Sequence, residues 1–120
     1  MGMLDNPVTG PIERYLDLTA KRQELIASNM ANVDTPDYRT RDIDFQGELQ
    51  RASKGLNPDD NPKVVEVQGL VERPDGNNVD LDREGLLLAK TQLEFRLGTQ
   101  LLKHTFQDLM DVIKGGGASS

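Results

Sequence analysis

The sequence predicts a mainly α protein, with a long helix near each end and a short irregular middle that contains β structure. Three observations predict it. The stretch from Ile12 to Asn32 has neither Gly nor Pro, and its apolar residues recur at helical spacing. The stretch from Asp80 to Lys114 has no Pro and carries a seven-residue apolar repeat. Between them, Pro, Gly, Asn and Asp cluster in two loops.

The N-terminal segment, 1–11, holds Pro7, Gly10 and Pro11 and reads as irregular. It has no basic stretch followed by an apolar one, so it does not read as a cleaved secretory signal. Pro11 suits the first turn of a helix, where a missing N–H is no loss. The first helix is expected over 12–33. Ile12, Tyr15, Leu16, Ala20, Ile26, Met30 and Val33 form its stripe, which Thr19, Arg22 and Gln23 interrupt.

The segment 34–79 is expected to be a turn followed by small extended and helical pieces. Pro36 disfavours helix at Thr35. Asp34 can accept a hydrogen bond from the backbone that follows it, and Asp37 tolerates positive φ. Tyr38 to Phe45 reads as extended, Phe45 to Lys54 as one or two helical turns ended by Gly55, and 55–62 as a loop. Lys63 to Val71 is Val-rich and reads as a strand, half of a small hairpin. Arg73 to Asn78 is a second turn.

The C-terminal helix is expected over 80–114, about 52 Å long at 1.5 Å per residue. Asp80 suits its N-cap, and Asp82 and Glu84 suit the positive end of its dipole. Gly115-Gly116-Gly117 is expected to stop it and leave 115–120 as a flexible tail.

This helix carries two apolar stripes. One runs through Leu81, Leu88, Phe95, Leu102 and Leu109, with Gly85, Gln92, Thr99, Phe106 and Ile113 as companions four residues further on. It reads as a coiled-coil seam, weak in its first half and strong in its last. The other runs through Leu86, Leu93, Leu97 and Leu101, on nearly the opposite side. Hydrophobic residues are 36% of the 120 and aromatics 4%, too little to cover both faces of a long rod within one chain. An uncovered stripe should meet other subunits.

Charge and composition exclude several classes. The net charge of -6 argues against nucleic acid and against an anionic membrane surface. Arg39 and Arg41 form the densest basic cluster, and Asp42 and Asp44 answer it. No apolar run approaches the roughly 20 residues that cross a bilayer, so direct membrane insertion is not expected. The absence of Cys removes thiolate metal sites, disulfides and a Cys nucleophile. His104, the only His, lies mid-helix between Lys103 and Thr105 with no partnered nucleophile. The acidic turn at Asp75 fails as a Ca²⁺ loop, because its fifth position is Val79 and its twelfth Leu86. No catalytic constellation and no cofactor site emerge.

Two segments carry a family resemblance. Asn29-Met30-Ala31-Asn32-Val33-Asp34-Thr35-Pro36-Asp37-Tyr38, followed by Arg41-Asp42-Ile43-Asp44-Phe45, resembles the signature turn of the rod and hook axial proteins of the bacterial flagellum. Asp75-Gly76-Asn77-Asn78-Val79-Asp80-Leu81-Asp82-Arg83-Glu84 is similar to the proximal-rod members of that family in particular. The two cover about 25 residues. The chain departs from the pattern at Asp37, where the family carries Gly, and at Gly85, where a bulkier apolar residue is usual.

The resemblance implies that the terminal helices pair as an antiparallel coiled coil lining a hollow rod. Asn29, Ala31, Asn32, Asp34, Thr35, Pro36, Tyr38 and Phe45 would form the bend and its contacts. Leu81, Leu88, Phe95, Leu102, Phe106, Leu109 and Ile113 would form the coil and the assembly surface. It further implies export through the flagellar type III apparatus, termini that order only on assembly, and a place in the periplasmic rod. The neighbours would be the other rod proteins and the adaptor joining rod to membrane ring. The alternative from a different class is a soluble coiled-coil adaptor or export-chaperone-like protein, which needs neither signature.

Overall fold

Five stretches of chain have the composition for regular structure, and the computed structural model, which describes residues 8–54 and 62–118, gathers them about one helix. That helix is α1 (Gly10–Ala31), with Pro11 in its first turn as expected. It ends without Gly: the Asn32 N–H bonds to the Ser28 and Asn29 carbonyls, and the Asn32 side chain donates to the Ser28 carbonyl at 2.8 Å. A strand β1 (Arg41–Ile43) leads into α2 (Phe45–Ser53), whose N-cap Asp44 accepts from the Gly47 N–H at 3.2 Å. The strand β2 (Val64–Glu66) pairs antiparallel with β1, setting Arg41 against Glu66 and Ile43 against Val64. It is shorter than the expected Lys63 to Val71, and Gly69 turns the chain away with φ +85. The loop expected at 55–62 lies mostly outside the described residues, as does the N-terminal segment before Val8.

The last element is α3 (Leu81–Ala118), about 57 Å long at 1.5 Å per residue. Asp80 is its N-cap, accepting from the Arg83 N–H at 3.2 Å. The expected stop at Gly115 is corrected: the helix continues through all three glycines to Ala118. Each Gly costs a helix about 1 kcal/mol of propensity, but none blocks the backbone hydrogen bonds that carry it on.

The helices α1 and α3 pack antiparallel. Asn29, near the end of α1, bonds Glu84 at the start of α3, and Leu16 and Tyr15 lie against Gly98. A second flank of α1 carries β1 and α2. So α1, not the long helix, is the sandwiched element. Leu18, Leu25 and Ile43 form the core, with Phe45 and Leu49 packed on it. The Tyr15 and Phe45 rings meet edge to face at 5.6 Å.

Polar residues that interrupt the α1 stripe point inward. Thr19 is fully buried, its hydroxyl donating to the Leu16 carbonyl at 2.8 Å. Arg22 makes a two-pronged bond to Asp42 at 3.0 Å and covers the Phe45 ring. Arg14 bonds the buried Glu48 carboxylate at 3.0 Å. Burial pushes the Glu48 pKa up, but donors from the Lys63 N–H, Arg51 and Arg14 outweigh it and hold it below the usual carboxylate value.

The result is long and thin. The extents are 71 × 27 × 20 Å, and the radius of gyration of 18.5 Å exceeds the roughly 14 Å of a compact domain this size.

Candidate assembly interface

The two signature segments, far apart in sequence, meet in one polar clasp. Asp37 has φ 63 and Gly76 φ +86, and the Asp37 N–H donates to the Asp75 carbonyl at 2.9 Å. The turns touch so closely that a Cβ at Gly76 would lie 2.2 Å from the Asp37 Oδ1. Only Gly fits there, both for the space and for its backbone angle.

Asn77 is fully buried and locks the bend. Its amide group donates to the Asn32 and Thr35 carbonyls, each at 2.8 Å, and its oxygen accepts from the Val79 N–H at 2.8 Å. Arg73 adds bonds to the Val33 and Val79 carbonyls. Asn78 ties in the next residues, accepting from the Thr40 N–H at 2.7 Å.

Asn29 uses all four of its hydrogen-bonding positions. Its oxygen accepts from the Tyr38 hydroxyl at 2.9 Å and the Arg41 N–H at 3.1 Å, and its amide group donates to the Arg41 carbonyl and to Glu84. It thus serves Arg41 as a strand partner would. Glu84, fully buried, is not merely a partner for the helix dipole; it receives Asn29 at 2.8 Å and Arg83 at 2.6 Å. Arg83 lies 4.0 Å from Asp42, which closes a charged chain back to Arg22 on α1.

The remaining bend residues divide. The Thr35 hydroxyl donates to the Asn32 side chain at 2.9 Å, and the Thr35 N–H to the Asn32 carbonyl at 3.0 Å. Asp34, Pro36 and Ala31 are exposed. Arg39 and Arg41 are not answered by Asp42 and Asp44: Arg39 reaches Glu72 at 3.0 Å, and Arg41 lies over Tyr38.

The seam of α3 is rotated from the expected one. Its buried column is Glu84, Thr91 and Gly98, continued by half-buried Thr105. Leu88, Leu102 and Leu109 are half-buried beside it, each four residues after a member of the column. The expected companions Gln92, Thr99, Phe106 and Ile113 are exposed, as is Leu81 at 49%. Small and polar side chains fill the column because the helices approach closely. A Cβ at Gly98 would lie 2.8 Å from a Leu16 methyl. Hydrophobicity alone could not find such a column.

The antiparallel register carries the far end of α3 past the start of α1. Six residues separate Gly10 from Leu16, so the start of α1 falls opposite His104, six beyond Gly98. The rest of α3 runs about 20 Å past α1. There Phe106, Met110, Val112 and Ile113 are exposed. Phe95, Leu86, Leu93, Leu97 and Leu101 are exposed along the paired part. No helix among the described residues is long and apolar enough to cross a membrane.

A paired-helix shaft, a rigid polar elbow and uncovered apolar helix surface define a structural subunit of an axial assembly. No family model matches the chain. Individual relatives do. The chain is 34% identical over 125 residues to the flagellar basal body rod protein FlgB of Salmonella typhimurium, covering 87% of this chain and 91% of that one. The FlgB of Borrelia hermsii is 34% identical over 123 residues, and that of Bacillus subtilis 29% over 118. The chain belongs to the flagellar basal body rod protein FlgB family, and is a structural component of the flagellar rod. The soluble-adaptor alternative finds no support among these relatives.

Proposed function

We propose that this chain builds the proximal part of the rod in the periplasm and passes motor torque through it, with no enzymatic activity. The observation that carries this reading is the overhang of α3. A free-standing protein gains nothing by displaying Phe106, Met110, Val112 and Ile113 on helix that runs about 20 Å beyond the start of α1. A rod subunit needs that surface for its neighbours.

The site residues take two roles under this reading. Asn29, Asn32, Thr35, Tyr38 and Phe45 position the shaft by fixing the elbow, with Ala31, Asp34 and Pro36 on its outer surface. Phe106 and Ile113 make the contacts with neighbouring subunits, with half-buried Leu109 beside them, while Leu88 and Leu102 belong largely to the intramolecular pair and Phe95 and Leu81 sit at its exposed edges. The neighbours are other rod proteins and the adaptor to the membrane ring, and the chain reaches them through the flagellar type III export apparatus.

The test is complementation of a strain lacking the gene. Phe106→Asp and Ile113→Asp, both at exposed positions of the overhang, should leave the helix content of the purified chain intact by circular dichroism, yet abolish swimming and remove the chain from isolated basal bodies. Normal motility with both variants would overturn the assembly role of the overhang.

A further inference from the structure

The exposed residues of α3 before the overhang form a second surface with its own chemistry. Leu86, Leu93, Leu97 and Leu101 are 75%, 53%, 55% and 55% exposed, and they share one side of the helix. All exposed charge on α3 from Leu86 to His104 is basic: Lys90, Arg96 and Lys103. Glu94, the acid in that stretch, is half-buried and acts on Tyr15 instead.

The outward side of α1 is its complement. Asp17, Ala20, Glu24, Ala27 and Ala31 recur at three- and four-residue spacing and are all exposed. Its only charges are acidic. Lys21, alongside, is partly withdrawn and bonds Glu24 at 3.3 Å. The small side chains leave shallow room in which leucines can seat. The lengths agree as well: Asp17 to Ala31 and Leu86 to Leu101 each span about 21–23 Å.

We infer that the leucine face of α3 in one copy docks on the acidic α1 face of a second copy of this chain. This deepens the rod reading and rests on it. The two patches differ, so the contact is head to tail, and it propagates into an open helical array rather than closing as a dimer. Opposite charge fixes the partner: α3 on α3 would set base against base, and α1 on α1 acid against acid.

The native chain has no Cys, so introduced thiols report unambiguously. Full-length chains carrying Ala20→Cys, Ala27→Cys or Ala31→Cys are each mixed with the Leu93→Cys chain and mildly oxidised. Gln46→Cys, exposed on α2, is the control. The mixed dimer with one of the α1 variants should exceed both homodimers by about tenfold, the preference that about 1.4 kcal/mol of contact energy produces. Lys90→Glu with Arg96→Glu in the Leu93→Cys chain should remove that excess. Asp17→Lys with Glu24→Lys in its partner should restore it. In isolated basal bodies, the double Ala27→Cys, Leu93→Cys chain should give linked species beyond a dimer. A statistical mixture, a dominant homodimer of the Leu93→Cys chain, or indifference to charge reversal overturns the contact. If the chain is still found in basal bodies, the rod reading survives that result. If the unaltered chain is missing from them, the rod reading itself falls.

Discussion

Replacing Asn77 should loosen the bend more than any change on its exposed outer surface. Asn77→Ala removes three hydrogen bonds of 2.8 Å, to the Asn32 and Thr35 carbonyls and from the Val79 N–H. The carbonyls belong to a turn near solvent and can recover water, whereas Val79 is buried and its N–H cannot readily do so. At a net 0.5–1.5 kcal/mol per bond, with a further penalty for the orphaned donor, the loss is about 2–4 kcal/mol. In a domain of this size that lowers the melting temperature by roughly 10 °C or more. The assay is thermal unfolding of the isolated chain by circular dichroism. Asn77→Asp sharpens it. The carboxylate keeps an acceptor for Val79 but sets negative oxygen against two carbonyls, so at neutral pH it should be no better than Ala. It should recover in part below about pH 4, when protonation returns one donor. Pro36→Ala, on exposed chain, should cost less than about 1 kcal/mol. An Asn77→Ala chain that melts within about 2 °C of the unaltered one would refute the claim that this clasp holds the bend.

Gly98→Val places a branched side chain where even a Cβ would lie 2.8 Å from Leu16, so α1 and α3 must separate locally. It should destabilise by about 1–3 kcal/mol in denaturant titration, while Gly85→Val, where a Cβ meets nothing within 4 Å, should not. The depressed pKa of Glu48 means its ion pairs stabilise the fold above the ordinary carboxylate pKa of about 4.3 and are lost as pH falls through the folded value. Glu48→Gln should therefore be less stable at pH 7 and show a flatter stability profile below pH 4, measured by urea unfolding across pH.

What the sequence disclosed and what it hid follow from what each interaction looks like in one dimension. The long helices were legible because period and the absence of Pro are local facts. The turns were legible because Asp37 and Gly76 sit where positive φ is needed. The clasp was only half legible. Asn77, Asn78 and Glu84 lie inside a quoted motif, but asparagine and glutamate read as surface until a partner is known. Their partners are 38 to 55 residues away. Thr19 and Arg22 misled for the same reason. The seam was misread by one column, because Glu84, Thr91 and Gly98 have no hydrophobic signature. The signal that could have found them was spacing: they recur every seven residues, four before Leu88, Phe95 and Leu102.

The division of the molecule into a satisfied polar elbow and an unsatisfied apolar tip has an energetic consequence for assembly. Fully burying one large apolar side chain contributes about 1.5–3 kcal/mol. Phe106, Met110 and Ile113 share one side of α3 and are already partly covered, so one neighbour seated on them gains on the order of 2–5 kcal/mol. Association itself costs about 4–15 kcal/mol in lost freedom. A single contact of this kind therefore barely holds two copies together, and the acidic net charge of -6 opposes even that. A subunit entering a helical array touches several neighbours while losing its freedom once. The overhang and the leucine face then act together, and growth at an existing end is favoured over pairing in solution, which stays weak enough to need a crosslink to trap it. The polar elbow makes this work, because several surfaces can be engaged at once only if the angle between shaft and flank is already fixed. Bonds that are satisfied within the chain fix that angle without adding any sticky surface of their own.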